Sequence, residues 1–255
     1  MILSPNQLNS IGVVVLAAGR GTRLGCIDQP KVMLEVGGQP IVSYIVQTLK
    51  NLGFSREQIV LVVGFGKEKV YDYFGETVSY SVQEEQLGTA HAAYIGMKKF
   101  GPEINSILVL NGDDSLFYKI LTIAKLINKH SGEDLSATLL TVPVDPGNFG
   151  YGRVVEKNNS FEIIEKEYLT EESAKSTQTS TGTFVFNKEW FLREFPNMPK
   201  LERLGEYGLP TAFTLVQEQG LPIGIIKLED KDEWFGINTA EELAEANSRI
   251  TNDKN

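Results

Sequence analysis

VVVLAAGRGTRLGCIDQPK, residues 13–31, is an apolar β-branched run that breaks into small residues and cations. The run starts at Ile11, lasts to Leu16 and shows no polar alternation, which is the pattern of a strand buried on both faces. Leu16-Ala17-Ala18-Gly19-Arg20-Gly21-Thr22-Arg23 follows. Small residues let a backbone approach a ligand closely, and their N–H groups can line an anion site. Arg20, Arg23 and Lys31 ring that turn with positive charge. A tight turn at the carboxyl end of a buried strand is where an open α/β sheet takes a nucleotide. A triphosphate cradle is therefore expected here, against the plainer reading of a strand–loop with surface cations.

Two familiar phosphate motifs do not fit. Gly25 is followed by Cys26 and not by Lys-Ser or Lys-Thr, so the loop is not a P-loop. Leu24 stands where a dinucleotide fingerprint needs its third small residue.

On either side of the cradle, strand and helix patterns alternate. Val32–Val36 reads as a short extended piece, and Ile41–Leu49 as a helix with Pro40 at its first position and Gly53 at its stop. Ile59–Val63 reads as a second buried strand, and Val78–Val82 and Ile107–Leu110 as a third and a fourth strand. Lys67–Phe74, Ala90–Lys99 and Leu116–Lys129 read as helices between and after them. This spacing predicts an α/β fold with a mostly parallel sheet covered on both faces. From Ser136 the pieces shorten: Ser136–Val142, Gly152–Glu156, Phe161–Glu165 and Thr181–Phe186 read as strands, with Asn158-Asn159-Ser160 as a hairpin turn. Tyr168–Thr179 reads as a mobile surface loop, Glu206–Glu218 as a helix and Ile223–Lys227 as a strand. Thr239 and Glu242 form a capping-box pattern for a last helix to about Ile250, followed by a frayed tail. No internal repeat is found, and no hexapeptide pattern of a β-helix.

The 255 residues suit one large α/β domain, and 42% apolar with 22% charged residues is ordinary globular composition. With 24 basic and 33 acidic residues the net charge is −9, which argues against nucleic acid and anionic membranes as partners. The single cysteine, Cys26, excludes an intramolecular disulfide and a cysteine metal cluster. The first ten residues lack a basic n-region and a long apolar h-region, and no apolar run approaches a membrane span, so a cytoplasmic location is expected.

LAAGRGTRL at 16–24 and PKVMLEVGGQPI at 30–41 resemble the sugar-1-phosphate nucleotidyltransferases. They are most similar to the uridylyltransferase (pyrophosphorylase) half of the bifunctional N-acetylglucosamine-1-phosphate uridyltransferases, without the acetyltransferase β-helix. The resemblance continues in order through QEEQLGTAHA at 83–92, NGDD at 111–114, YGRVV at 151–155, IIE at 163–165, GEY at 205–207 and FGIN at 235–238. It implies a three-layer Rossmann-like fold with a mostly parallel mixed sheet and a small β-rich acceptor-side lobe. One domain would span 1–255: a nucleotide-binding part over 11–135, an acceptor part over 136–238, and a closing helix and tail over 239–255.

The resemblance also implies a reaction and its residues. A sugar 1-phosphate oxygen attacks the α-phosphorus of a nucleoside triphosphate and pyrophosphate leaves, with no covalent enzyme intermediate. Arg23, assisted by Arg20, would hold the leaving phosphates, and Lys31 would neutralise charge at the α-phosphate. Asp113 and Asn238 would hold Mg²⁺ with hard oxygens. Asp113 could alternatively cap a helix, and Asn238 could serve a turn. Gln83, Gln86 and Gly88, with Thr89, would read the base. A glutamine amide complements uracil or thymine and can turn over to suit cytosine. Gly152, Glu165 and Ser180 would hold sugar hydroxyls. His91 is expected to be structural.

The chain departs from the family at four places. Ser180-Thr181-Gly182 stands for Asn-Thr-Gly, and serine is too short to replace the asparagine's sugar contact fully. Asp114 follows Asp113 where an apolar residue is usual. Arg23 and Lys31 are one residue further apart, and Thr211 stands where an aspartate is common. The substrates implied are an NTP, UTP first, and a sugar 1-phosphate, giving UDP-N-acetylglucosamine or a close analogue. CTP or dTTP, another phosphorylated alcohol, or a non-catalytic nucleotide-sugar binder are the alternatives.

Overall fold

The computed structural model describes residues 2–21, 24–26, 28–146, 148–157 and 160–252. In chain order the elements are α1 (Pro5–Ser10), β1 (Ile11–Ala17), β2 (Glu35–Val36), β3 (Gln39–Pro40), α2 (Ile41–Leu52), β4 (Ile59–Val63), α3 (Lys67–Phe74) and β5 (Ser79–Val82). Then come α4 (Thr89–Met97), β6 (Ser106–Asn111), α5 (Ile120–Gly132), β7 (Ala137–Pro143), β8 (Arg153–Lys157), β9 (Ser160–Ile164) and β10 (Gln178–Asn187). The chain closes with α6 (Lys188–Glu194), α7 (Leu209–Glu218), β11 (Ile223–Lys227) and α8 (Ala240–Asn252).

The central sheet has seven strands in the order β11-β7-β10-β6-β1-β4-β5. Only β10 runs antiparallel to its neighbours β6 and β7, so the sheet is mixed but mostly parallel, as expected. The unbroken apolar run of β1 is explained by its two covers. Val13 and Val15 pack into the core that holds Ile45 and Leu49 of α2 and Leu126 and Ile127 of α5. Val14 points the other way, into the core that holds Ala93 and Met97 of α4. Each such valine is fully buried and contributes roughly 1.5–3 kcal/mol relative to exposure. β4 and β6 repeat the alternation, Leu61 and Leu108 to one side, Val60 and Val109 to the other. β8 and β9 form a separate antiparallel pair.

Several expectations need correction. Val32–Val36 is not extended throughout: Lys31–Met33 is a turn of 3-10 helix and only Glu35–Val36 is strand. The helix expected from Leu116 begins at Ile120, because Ser115 Oγ donates to Asn111 O and Tyr118 is buried against Thr183 in a turn. The helix expected from Glu206 begins at Leu209, after the segment 206–207 has been tied down elsewhere. The surface loop at 168–179 holds a 3-10 turn, Ser173–Lys175, and the start of β10. The lead-in holds a helix with its own capping box between Ser4 and Gln7. The capping box at Thr239 and Glu242 is present: Glu242 N–H donates to Thr239 Oγ1 (3.2 Å) and Thr239 N–H donates to Glu242 Oε2 (2.9 Å). The hairpin turn at Asn158-Asn159 lies outside the described residues.

Candidate functional site

The strand order reverses beside β1, whose neighbours are β4 on one side and β6 on the other. A crevice opens there at the carboxyl ends of the strands. It holds a cavity of about 320 Å³, lined by Leu16, Ala18, Gly19 and Gly21 from the cradle, by Gln83, Gln86 and Gly88 from the loop after β5, and by Thr89 at the start of α4. Lys31, Asn111, Asp113, Glu206 and Asn238 complete its polar wall. Ala17 is buried within β1. Arg20 is exposed, its guanidinium 5.6 Å above the Phe65 ring, and lies off the cavity lining. Thr22 and Arg23 lie outside the described residues.

A second cavity of about 200 Å³ adjoins the first, and the two share Thr89 and Asn111 in their walls. Gly152, Glu165 and Ser180, the three residues expected on the sugar side, all line it. A register shift in β10 between Ser180 and Phe184 turns Ser180–Gly182 toward this cavity. Burial, and then the nearby Glu167 charge, push the Glu165 carboxyl above its ordinary range, against the pull of Lys166.

Each wall is held by specific backbone contacts. The segment 235–237 runs beside Asp113 and Asp114: Phe235 N–H donates to Asp114 O and Ile237 N–H to Asp113 O, both at 3.2 Å. That pairing delivers Asn238 from the far end of the chain to Asp113. The loop after β5 is fixed in the same way. Tyr207 N–H donates to Leu87 O, and Ala90 N–H donates back to Tyr207 O, both at 2.8 Å. Gly88 sits between these bonds at φ +103°, and a Cβ there would lie 2.5 Å from Tyr207 O, so glycine is required on both counts. Gly21 faces the same constraint in the cradle: φ is +70° and a Cβ would lie 2.7 Å from Lys31 Cβ.

At the centre, Lys31 Nζ pairs with Asp113 Oδ2 and donates to Asn238 Oδ1 at 3.0 Å. The two oxygens assigned to a metal from the sequence thus converge on one cation already. Two hard oxygens from the protein fit a divalent ion that completes its shell with water and phosphate oxygens. No group of three or more His, Cys, Asp or Glu suited to a metal is found among the described residues. Asp114 turns toward the second cavity's wall. Its Oδ2 accepts from Asn111 Nδ2 (3.0 Å), and Oδ1 is buried with no hydrogen-bond partner. Burial, with the adjacent Asp113 charge, holds its carboxyl well above the usual range, against Asn111, Lys31 and Trp234.

Asn111 and Glu206 were not singled out from the sequence, although both lie inside quoted motifs, NGDD and GEY. Asn111 sits at the last position of β6, the place a parallel strand offers to a ligand, and that position was the available clue.

The profile of one family, described as nucleotidyl transferase, matches residues 12–253. The chain belongs to that family. Among curated relatives, the bifunctional protein GlmU of Halalkalibacterium halodurans is 35% identical over 91% of this chain and 50% of its own length. The GlmU protein of Exiguobacterium sibiricum is 34% identical over 93% of this chain and 52% of its own length. That of Enterococcus faecalis is 31% identical over 92% and 50%. The chain spans about half the length of the curated relatives it matches. A solved structure from Bacillus anthracis, assigned as a glucose-1-phosphate thymidylyltransferase in complex with sucrose, superposes with a TM-score of 0.76 over 94% of both chains. At 22% identity that likeness shows the nucleotidyl transferase fold alone. No described helix is long and apolar enough to cross a membrane.

Proposed function

We propose that this nucleotidyl transferase moves a uridylyl group from UTP to a sugar 1-phosphate, releasing pyrophosphate and forming UDP-N-acetylglucosamine or a close analogue. One observation carries the reading: two cavities share a wall at Thr89 and Asn111, with Lys31, Asp113 and Asn238 clustered on the nucleotide side. Such a pair suits a donor nucleotide and an acceptor that must meet. Residues 11–135 would bind the nucleotide, residues 136–238 the acceptor, and the whole chain would act as one domain in the cytoplasm.

The chemistry follows from the residues. The acceptor's phosphate oxygen forms the new bond to the α-phosphorus as the bond to the pyrophosphate oxygen breaks. No side-chain nucleophile is needed, and the protein contributes positioning and charge. Lys31, whose side chain is 12% exposed, would neutralise the α-phosphate. Arg23 and Arg20, with the backbone N–H groups of the cradle, would hold the leaving phosphates. Gln83, Gln86, Gly88 and Thr89 would read the base, and Gly152, Glu165 and Ser180 the sugar. Asp113 and Asn238 would hold the divalent cation, Mg²⁺ in this proposal, which when bound supplies charge neutralisation to the phosphate oxygens.

The test is pyrophosphate release from UTP, CTP, ATP, GTP and dTTP, each with Mg²⁺ and a panel of sugar 1-phosphates. Release with UTP and an N-acetylhexosamine or hexose 1-phosphate is expected. No release from any pair overturns the proposal, and release with CTP alone overturns the uridylyl assignment.

A further inference from the structure

We infer that His91 is a positioning residue for base selection, locking the Gln83 amide so that its carbonyl oxygen, and not its NH₂, meets the nucleobase. This rests on the nucleotidyl transfer proposed above and sharpens it, because it names the base class as one presenting a ring N–H.

Gln83 follows β5, is 4% exposed, and lines the nucleotide cavity. The two ends of an amide have nearly the same shape, so its neighbours decide which way it faces. Gly88 O lies 3.1 Å from Gln83 Nε2 and can only accept. His91 Nδ1 lies 3.1 Å from the same nitrogen. A neutral imidazole with its proton on Nε2 leaves Nδ1 as an acceptor, so both N–H bonds of the amide are occupied. Turning the amide over would set its oxygen against a carbonyl oxygen and a ring lone pair at once.

His91 is itself held firmly. It lies in the first turn of α4, and its ring stacks on Phe195 with centroids 6.0 Å apart and planes at 25°. Tyr94 stacks on Phe195 in turn at 4.3 Å. Burial favours the uncharged ring, with Lys200 on the same side, against the Glu85 carbonyl and carboxylate.

Gln83 Oε1 takes no donor from a described residue. Gln83 lines the cavity, so with Nε2 engaged, Oε1 is the amide atom left to meet a base there. Uracil and thymine offer an imide N–H to such an atom, whereas cytosine offers a lone pair at the same ring position. The lock turns an ambivalent glutamine into a selector for imide bases.

Two variants separate this role from simple packing. His91→Phe keeps a ring for Phe195 and removes the acceptor. His91→Asn removes the ring and restores an oxygen acceptor near the Nδ1 position. In His91→Phe the KM for UTP should rise about tenfold and the UTP-over-CTP ratio of kcat/KM should fall about tenfold. The KM for the sugar 1-phosphate and the melting temperature should not move. His91→Asn should keep the wild-type nucleotide ratio. If His91→Phe fails to fold, His91→Ala replaces it in the same comparison with His91→Asn. A normal ratio without the acceptor overturns the inference, and so does an equal loss in both variants. Wild-type protein that turns over no nucleotide overturns the function and this inference together, whereas turnover with an unmoved ratio overturns this inference alone.

Discussion

Lys31 Nζ donates to Asn238 Oδ1 over 3.0 Å, joining the loop after the cradle to a residue 207 positions further along the chain. The same ammonium pairs with Asp113. Three segments, from the start, middle and end of the sequence, therefore close on a single positive charge. A cation held by two oxygens at the mouth of the first cavity competes with any metal for those oxygens. It also stands ready to meet a phosphate that displaces it.

This arrangement gives opposite expectations for metal affinity and turnover. Lys31→Ala should lower kcat by about 10²–10³-fold, the usual loss when a preorganised charge is removed from a transition state. It should also tighten Mn²⁺ binding in the absence of substrate by about tenfold, since a competing positive charge is gone. Asp113→Asn should lower both turnover and Mn²⁺ affinity. Paramagnetic titration with Mn²⁺, beside pyrophosphate release, checks all four values. Unchanged turnover in either variant removes that residue from the site.

Gly88 tests how the loop after β5 is held. Alanine there meets both a φ of +103° and a contact of 2.5 Å with Tyr207 O. Strain of that kind costs about 2 kcal/mol, which for a domain of this size lowers the melting temperature by about 4–8 °C. The loop must also separate from 206–207, so the KM for UTP should rise at least about tenfold. Calorimetry and steady-state kinetics on Gly88→Ala measure the two effects. A variant with wild-type KM shows that the loop does not bind the nucleotide.

His130 is a structural histidine, and it predicts a pH dependence of stability. Its Nδ1 pairs with Thr138 Oγ1 (2.9 Å) and its Nε2 with Ser106 Oγ (3.1 Å). Burial lowers its pKa from 6.5 to about 4, with Asp134 opposing. The unfolded chain therefore takes up a proton at higher pH than the folded one. The neutral ring's contribution is fully present above pH 6.5 and is lost as pH falls toward 4. The loss amounts to about 3 kcal/mol. Urea midpoints of the wild type should fall more steeply between pH 7 and 4.5 than those of His130→Gln. Parallel curves for the two proteins contradict the assignment.

The parts of the fold legible in the sequence were those where one local pattern sufficed. β1, β4 and β6 were visible because strands covered on both faces leave continuous apolar runs. α6 was not, because Lys188–Glu194 is seven residues long and starts directly at the end of β10, capped by Asn187. Leu116 looked helical from its spacing, yet Tyr118 and Ser115 have partners outside any helix. The residues named from motifs include several that line the two cavities, and the contacts that organise those walls were not visible in the sequence. Nothing local says that Ile237 pairs with Asp113, that Tyr207 clamps Gly88's loop, or that His91 faces Gln83.

Ser180 supplies the sharpest question about the acceptor. It lines the second cavity at the β10 register shift, and its Oγ accepts from Gly182 N–H at 3.1 Å. The related enzymes that the sequence resembles carry asparagine at this position. An asparagine amide reaches further into the cavity and carries two N–H donors toward an N-acetyl carbonyl, whereas the serine hydroxyl has one O–H donor on a shorter side chain. Ser180→Asn should therefore raise kcat/KM for N-acetylglucosamine 1-phosphate about tenfold relative to glucose 1-phosphate, the effect of one added neutral hydrogen bond in a closed site. The KM for UTP should stay unchanged, because Ser180 is not in the wall of the first cavity. Competition between the two sugar phosphates in one reaction reads the ratio directly. A ratio that does not move places the sugar's 2-position away from Ser180 and shifts the choice of acceptor to Glu165 and Asp114 on the opposite elements.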